Sequence, residues 1–410
     1  MKITEEKLFL VFFIAFVSVF SVYWGMYSYL PVAHSFYVGD AVFLGEFACS
    51  LFALFVLFFI RKSIRIRKGF FFNICSGLFF VLLLQIIQSF LSYSQPFSVV
   101  LKEAGYYLIA ILVYIVFVQF RERLTVEQVI DSFAKASIVC SVIALFAFFL
   151  FTFAGINILN VSIAESNFRN GTLRFDVGKN IVFIGLIISF VKVLRQEYSK
   201  LDLLNIFLGV LHIVIVMKTR TVEFYFLSLL FLGPFLITKV QKKWKFLIFE
   251  ISFCALLLFV IYFENLSSEL DLLWNDDVGN VVRQDAIKFY LNQFYDNPVL
   301  GMGFIDSNKD NAVSHLLRGL NLQYYRDDVG VIGFLNAFGV VGFIWLIVFL
   351  KKTISMVRGK FDYASNVVKM LVAYCIITLP NLSVMDPQRV VMLSIIMVLI
   401  EYNAMEKNNV

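Results

Sequence analysis

Five arginines of this 410-residue chain lie beside apolar runs, apart from the basic clusters that separate other runs: Arg169, Arg174, Arg220, Arg283 and Arg389. A guanidinium stays charged at physiological pH and gives paired hydrogen bonds to phosphate oxygens. Any one such arginine more often snorkels or pairs with an acid. As a group, they predict a positive pocket for an anionic lipid headgroup such as a pyrophosphate.

Two glycine-containing segments accompany these arginines. The turn Gly301–Gly303 follows Asn297-Pro298, and its glycines allow a close backbone approach to a ligand. Asp328 precedes an apolar run, with Gly339 and Gly342 following eleven and fourteen positions later. Those glycines have a plainer interpretation as helix-packing residues. Asp328 is a candidate general base if partial burial raises its pKa, although an acid at the end of a span is more often structural.

Motifs for nucleotides and metals are absent from the sequence. It has no Walker loop, no GxGxxG before a helix, no HExxH and no Cys/His cluster. The three His residues are scattered, and all five Cys residues fall inside apolar runs as small hydrophobes. We therefore expect no cofactor, no metal and no ATP-driven transport.

The composition requires elements that lie in a membrane. Hydrophobic residues make up 60% of the chain and charged residues 16%, with 49 Phe, and the mean hydropathy is +0.84. A soluble protein is about half apolar and about a quarter charged. The net charge of +6 lies in short clusters between apolar runs, which is typical of topology signals and not of a nucleic-acid surface.

The apolar runs predict an all-α, polytopic membrane protein, because a bilayer crossing needs about 20 apolar helical residues. Twelve spans are predicted: Leu8–Leu30, Ala41–Ile60, Phe70–Leu91, Ala104–Phe120, Ser137–Phe153, Ile181–Leu194, Leu203–Met217, Phe224–Ile237, Phe246–Phe263, Val329–Leu350, Val367–Leu379 and Val390–Ile400. The sixth to eighth and the last two are short enough to be broken, tilted or re-entrant.

Basic clusters between spans set the predicted orientation. They occupy residues 61–68, 239–245 and 351–360, and all three fall on one side if there are twelve crossings. The positive-inside rule makes that side cytoplasmic, with both termini there too. The chain then divides into residues 1–263 with nine helices, an extracytoplasmic loop at 264–328, and residues 329–410 with three helices and a cytoplasmic C-terminus.

The long loop reads as a solvated outer module with short helices. Its eleven acidic and five basic residues give it a net charge of −6. Apolar periodicity predicts an amphipathic helix over Val281–Phe294, which Asn297-Pro298 ends. Tyr324 and Tyr325 in this loop either stack against sugar rings or belong to an interfacial aromatic belt.

Taken together, these segments resemble the bacterial superfamily of O-antigen polymerases and O-antigen ligases, which are membrane glycosyltransferases. The resemblance runs from Arg169 to Gly342 in four ordered parts: Arg169-Asn170-Gly171-Thr172-Leu173-Arg174-Phe175 with Asn180, then Thr219-Arg220-Thr221, then Arg283 with Asn297-Pro298 and Gly301-Met302-Gly303, and finally Asp328-Val329 with Gly339 and Gly342. Lys179 stands where the family usually has proline.

The resemblance implies a GT-C-like fold in the bacterial inner membrane and a sugar donor linked to undecaprenyl pyrophosphate. It implies that Arg220 and Arg283 bind the pyrophosphate, with Arg169 and Arg174 as secondary ligands. Asp328 would deprotonate the acceptor, with Glu223 and Asp327 as rivals. Glu223, Tyr324, Tyr325, Gly301 and Gly303 complete the predicted substrate-binding set. A chain-length regulator and a flippase are the implied protein partners.

Asp328 stands where the family's ligases carry His. The resemblance therefore implies a polymerase of O-antigen, capsule or exopolysaccharide repeat units, with an O-antigen ligase as the alternative. A lipid-linked oligosaccharide flippase or other carrier is a rival of another class, although carriers usually have internal repeats and mid-membrane charges. A non-enzymatic scaffold for polysaccharide assembly is the third candidate.

Overall fold

The structure is a computed structural model, and it describes residues 68–120, 124–159, 168–169, 172–173, 175, 178–217, 220–237, 278–305, 312–379 and 389–408. Three predicted spans, Leu8–Leu30, Ala41–Ile60 and Phe246–Phe263, lie outside the described residues. So do the basic clusters at 61–67 and 239–245.

The regular secondary structure of the described residues is helical apart from one pair of two-residue strands. The helices are α1 (Phe72–Tyr93), α2 (Phe97–Phe120), α3 (Val126–Ala154), α4 (Lys179–Arg195), α5 (Lys200–Leu211), α6 (Arg220–Leu236), α7 (Val278–Asp296), α8 (Ala312–Arg318), α9 (Gly330–Val357), α10 (Tyr363–Thr378) and α11 (Val390–Asn408). Strands β1 (Phe168–Arg169) and β2 (Thr172–Leu173) pair antiparallel. A π turn, His212–Met217, extends α5, and a 3₁₀ turn, Arg326–Val329, precedes α9.

Each of the nine predicted spans that falls on described residues coincides with a helix. Four helical segments are long and apolar enough to cross a membrane: Phe72–Tyr93, Val126–Ala154, Lys200–Met217 and Arg326–Val357. The amphipathic helix predicted over Val281–Phe294 is present as α7, which is longer at both ends. The all-α class is thereby confirmed, and the four apolar helices are consistent with a membrane protein. The total of twelve spans and the GT-C-like fold stay predictions.

One end of the bundle collects the end of α1, the start of α9 and the end of α10. At this end the Val331 amide donates to the Leu379 carbonyl at 2.9 Å. The Phe304 amide donates to Ser89 Oγ, near the end of α1, at 2.7 Å. We call it the loop end, because helices α7 and α8 of the long loop pack there.

The opposite end is closed by the last helix, α11. Glu401 is fully buried, and its carboxylate accepts from the Phe70 amide at 2.7 Å and from Tyr114 OH at 3.1 Å. Two residues further on, Asn403 Nδ2 donates to Asp362 Oδ1 at 2.9 Å. Lys68 and Lys360 therefore end at the same side of the bundle, as the predicted orientation requires.

A buried polar seam joins helices α3, α4 and α5. Asn205 Nδ2 donates to the Gly185 carbonyl at 3.0 Å and to Ser189 Oγ at 2.9 Å. Its Oδ1 accepts from Ser137 Oγ at 2.9 Å. Lipid offers these groups no alternative partner, so the bonds hold the three helices in one register.

Replacing Asn205 by Leu should lower the free energy of unfolding by about 2 kcal/mol. Each interhelical hydrogen bond in a membrane contributes roughly 0.6 kcal/mol, and three are lost. Thermal unfolding of the purified chain in detergent measures the effect. Asn292→Leu, at an exposed position on α7, is the control and should leave the transition unchanged. An equal shift in both variants would contradict a structural role for the seam.

Candidate functional site

The first two family-like segments meet at the π turn after α5. The Phe175 amide donates to the Val216 carbonyl at 3.0 Å. The Phe175 ring is fully buried, with centroids 5.8 Å from the rings of Phe148 and Phe151. A π turn commonly marks a functional position in a helix. Here it joins the β1–β2 hairpin to the start of α6.

Four of the residues predicted to bind substrate belong to the two segments that meet here. Arg169 lies on β1, while Arg220 and Glu223 lie in the first turn of α6. Arg174, next to Phe175, lies outside the described residues, as do the side chains of the other three. The junction brings the two segments together along the backbone, and the roles of the four side chains stay predictions.

The third and fourth segments meet through their backbones. We call residues 297–304 the glycine loop. It runs alongside α9, where the Met302 and Gly303 amides donate to the Asn336 and Ala337 carbonyls at 2.6 and 3.0 Å. In return, the Val340 amide of α9 donates to the Pro298 carbonyl at 2.9 Å. The two segments thus supply each other's backbone hydrogen bonds.

Gly339 makes this pairing possible by interrupting α9. Its φ of 62° and ψ of −165° lie outside the helical region, in a part of conformational space that is essentially limited to glycine. A Cβ there would come within 2.6 Å of the Gly301 amide nitrogen and the Leu300 carbonyl carbon. The close approach predicted for Gly301 is therefore an approach to α9, and contact of either loop glycine with substrate stays a prediction.

Amide side chains of α1 hold the glycine loop from the other side. Gln85 Nε2 donates to the Leu300 carbonyl and, at 3.4 Å, to the Phe338 carbonyl, so it contacts both paired segments. Gln88 Nε2 donates to the Gly301 carbonyl at 2.6 Å. The Oε1 atoms of both glutamines are buried without a hydrogen-bond partner among the described residues.

Arg326 is the most conspicuous cation at the loop end. Its Nη1 donates to the Gly303 carbonyl at 2.9 Å. Its Nε and Nη2 are buried and have no hydrogen-bond partner within the described residues, and no acid in that part of the chain forms an ion pair with it. Leaving a charged donor unsatisfied in a low dielectric costs several kcal/mol. An anion that accepted hydrogen bonds from these two nitrogens would remove that cost.

Two further arginines of the long loop lie on elements close to Arg326 in sequence or packing. Arg318 hydrogen-bonds to Tyr325 OH and lies over the Tyr325 ring, 4.4 Å from its centroid. Arg283 projects from α7, which packs against the 3₁₀ turn carrying Arg326, and its buried Nε has no partner among the described residues. Tyr324 packs on Phe289 at 5.1 Å between ring centroids. The predicted stacking of Tyr324 and Tyr325 on sugars stays a prediction.

Tyr290 links this region to α9 and serves as a structural donor. Its side chain is fully buried and its OH donates to the Leu317 carbonyl at 2.9 Å. Burial raises the pKa of the Tyr290 phenol, and the nearby Arg326 guanidinium partly opposes the rise. Asn336 Nδ2 of α9 donates to the Tyr290 carbonyl at 3.2 Å. The phenol therefore keeps its proton at physiological pH.

Asp328 lies in the 3₁₀ turn two residues after Arg326, and its side chain is exposed, as is that of Asp327. The expected partial burial of Asp328 is wrong, because the turn directs its inward face to Arg326 and Val329. As a base, Asp328 would act from solvent and not from a low-dielectric pocket. Its part in the reaction stays a prediction.

Sequence reasoning missed the residues that organise this region. None of the sequence motifs singles out Arg326, Gln85, Gln88 or Asn336. The usable signal was the pair of glutamines three residues apart inside an apolar run, since buried amides in a membrane helix need partners.

Within the described residues, no group of three or more His, Cys, Asp or Glu side chains has the arrangement of a metal site. A scan of the chain against protein-family models finds no match, and a search of curated proteins also finds none. The functional assignment must therefore come from the chemistry of the site.

Replacing Gly339 by Ala should separate the glycine loop from α9. The new Cβ meets backbone atoms that cannot move aside, and the residue must keep a conformation that L-residues avoid, so we expect a loss of about 3 kcal/mol in stability. Unfolding in detergent measures the loss.

Gly359→Ala is the matched control for Gly339→Ala. Gly359 also has a positive φ, of 71°, but a Cβ there has no atom within 4 Å. Only backbone strain of about 1 kcal/mol should result. Equal losses in the two variants would show that the pairing with the glycine loop contributes nothing.

Proposed function

We propose that the chain is a membrane glycosyltransferase that polymerises oligosaccharide repeat units carried on undecaprenyl pyrophosphate, as in the assembly of O-antigen, capsule or exopolysaccharide. One observation carries the proposal: the buried Nε and Nη2 atoms of Arg326 have no hydrogen-bond partner among the described residues. Arg326 lies beside the glycine loop, at the ends of apolar helices. A lipid-linked diphosphate combines the required negative charge with an apolar tail.

The proposed glycosyl transfer requires cationic side chains that stabilise the leaving group, and it requires neither a metal nor a nucleotide site. An acceptor hydroxyl attacks the anomeric carbon of the donor sugar, a C–O bond forms, and the bond from that carbon to the diphosphate oxygen breaks. Negative charge develops on the departing undecaprenyl pyrophosphate, where prearranged guanidinium groups stabilise it. A nearby carboxylate takes the hydroxyl proton.

In this proposal Arg326 and Arg283 bind the diphosphate. Arg220, Arg169 and Arg174 are proposed to serve the same anion, although their side chains lie outside the described residues. The buried amide oxygens of Gln88 and Asn336 beside the glycine loop have no hydrogen-bond partner among the described residues, and this scheme assigns them no contact with the sugar.

Asp328 is the proposed proton acceptor, because its exposed carboxylate lies two residues from Arg326 and is open to an incoming hydroxyl. Glu223 and Asp327 are its rivals. Since the chain carries no resident cofactor in this scheme, the residues themselves supply all of the catalysis.

The same scheme requires the loop end to face the outside of the bacterial cytoplasmic membrane. Lipid-linked donors are present there and nucleotide sugars are not. Lys68 and Lys360 at the opposite end favour a cytoplasmic position for that end. A flippase that delivers the repeat unit and a chain-length regulator would be the protein partners, and nucleic acid would have no role.

A lipid-linked oligosaccharide flippase is the second candidate, and the interruption of α9 at Gly339 favours it. Broken helices commonly line the substrate path of transporters. Here, however, the loop already occupies the groups freed by the break. A strain lacking the chain should accumulate single lipid-linked repeats on the outer leaflet if the chain polymerises them, and on the inner leaflet if it translocates them.

Arg326→Met should slow chain extension by about 10²–10³-fold, which is typical when one anion-stabilising donor is removed. The purified chain, reconstituted in liposomes with a lipid-linked repeat unit, is assayed for a polymer ladder on a gel. Arg326→Lys should recover only part of the rate, because an ammonium lacks the planar pair of donors. Arg358→Met, at an exposed position of the opposite end, should extend chains normally. A normal ladder from Arg326→Met would refute this role.

Asp328→Asn should also slow extension, by about 10²-fold, because an amide cannot take the hydroxyl proton. Donor binding should survive, since the diphosphate ligands are unchanged. The rate is compared with that of Asp296→Asn, an exposed acid at the end of α7. Unaltered extension by Asp328→Asn would transfer the role to Glu223 or Asp327.

A further inference from the structure

Arg389, at the loop end beside the first residue of α11, plays no part in the proposed reaction and is buried far more completely than Arg326. Only 5% of it is exposed. Its Nη1 donates to Thr378 Oγ1 at 2.9 Å and its Nη2 donates to Tyr374 OH at 3.0 Å. The guanidinium also lies over the Tyr374 ring, 5.4 Å from its centroid.

Within the described residues, these contacts leave the charge of Arg389 without a carboxylate partner. Both hydrogen-bond acceptors are neutral hydroxyls, and no carboxylate of the described residues forms an ion pair with it. Its Nε is buried and has no hydrogen-bond partner in that part of the chain. Burying an unpaired ion costs several kcal/mol even after relaxation, so the arrangement calls for an anion.

The backbone of Arg389 adjoins the start of a helix, and its side chain is held in place by its acceptors. Helix α11 begins at Val390, directly after Arg389, and a helix N-terminus carries a partial positive charge with free amide donors. The side chain is also held firmly: its acceptor Tyr374 stacks on Phe183 of α4 at 5.0 Å between centroids. A fixed guanidinium with an available donor is prearranged for an oxygen anion.

We propose that Arg389, Tyr374 and Thr378 form a second anion site, which binds a phosphate group. Phosphate suits the position, because it is the anion that membrane surfaces present in quantity and it accepts the directional donors of a guanidinium. The group comes either from a free phosphate or diphosphate or from the headgroup of an anionic lipid. In both cases the phosphate oxygens accept hydrogen bonds from the guanidinium.

The second site is separate from the one at Arg326 but mechanically connected to it. Thr378 is the last residue of α10, and the next residue, Leu379, accepts from the Val331 amide at 2.9 Å. Val331 lies five residues after Arg326, at the start of α9. An anion on Arg389 would therefore steady the end of α10 against the turn that carries Arg326.

Binding of inorganic pyrophosphate to the purified full-length chain in neutral detergent tests the proposal without any need for enzymatic activity. Isothermal titration should give two sites in the wild type, and one site each in Arg389→Met and Arg326→Met. A wild-type stoichiometry of one that only Arg326→Met abolishes would exclude a free diphosphate as the ligand of the second site and leave the proposed function standing. If only Arg389→Met abolishes that single site, the second site stands and the assignment of Arg326 falls.

A lipid as the source of the phosphate is tested by thermal unfolding in the same detergent. Phosphatidylglycerol, compared with phosphatidylcholine, should raise the midpoint of the wild type and of Arg358→Met by several degrees, but not that of Arg389→Met. If the lipid raises the midpoint in this way but the titration shows no pyrophosphate binding at Arg389, the ligand is a lipid headgroup. If Arg389 affects neither the pyrophosphate titration nor the lipid-dependent midpoint, the proposal is refuted.

The Arg389→Met variant also separates binding from a purely structural role. Removing a buried, uncompensated charge should leave the ligand-free midpoint unchanged or higher, whereas a structural arginine would lower it. Should Arg389→Met not yield folded protein, Arg389→Lys takes its place. Its pyrophosphate affinity should fall at least tenfold, because the ammonium cannot reproduce the fork of donors, and an undiminished affinity would overturn the proposal.

Discussion

The reciprocal backbone pairing between the glycine loop and the interrupted helix α9 determines the geometry of everything at the loop end. An open helix break inside an apolar bundle would leave carbonyls and amides unsatisfied, and lipid offers no substitute. The loop supplies those partners, and in return its own backbone is held close to α1 and α9. Arg326 reaches its position because the Gly303 carbonyl, fixed by this pairing, accepts from its Nη1 at 2.9 Å.

Two arginines at the loop end, Arg326 and Arg389, are buried without a carboxylate partner among the described residues. In a low dielectric, attraction for an anion grows as competing partners and water are removed. Among the described residues, Arg326 has one backbone partner and two donor nitrogens without a partner, while Arg389 has two neutral partners and one donor nitrogen without a partner. Such groups lower the stability of the folded protein. In the proposed sites, binding of an anion would recover that cost as affinity.

The sequence predicted the helices well because hydrophobic runs of membrane length leave few alternatives, and each predicted span within the described residues is a helix. It could not predict that Gly301 faces Gly339, because that contact joins positions far apart through backbone atoms that no side-chain pattern records. Nor could it separate Arg326 from the other bases of the long loop, since burial of its donors depends on the fold.

Glu401 has a consequence for the order in which the chain matures. Its carboxylate accepts from the amide of Phe70, across a separation of 331 residues, so the start of α1 meets this acceptor only after all of the intervening chain has been synthesised. Until then, that amide must be bonded to water or to another group. The folding of α11 thus completes the backbone hydrogen bonding at the start of α1, and a nascent chain cut short before Glu401 would lack this acceptor.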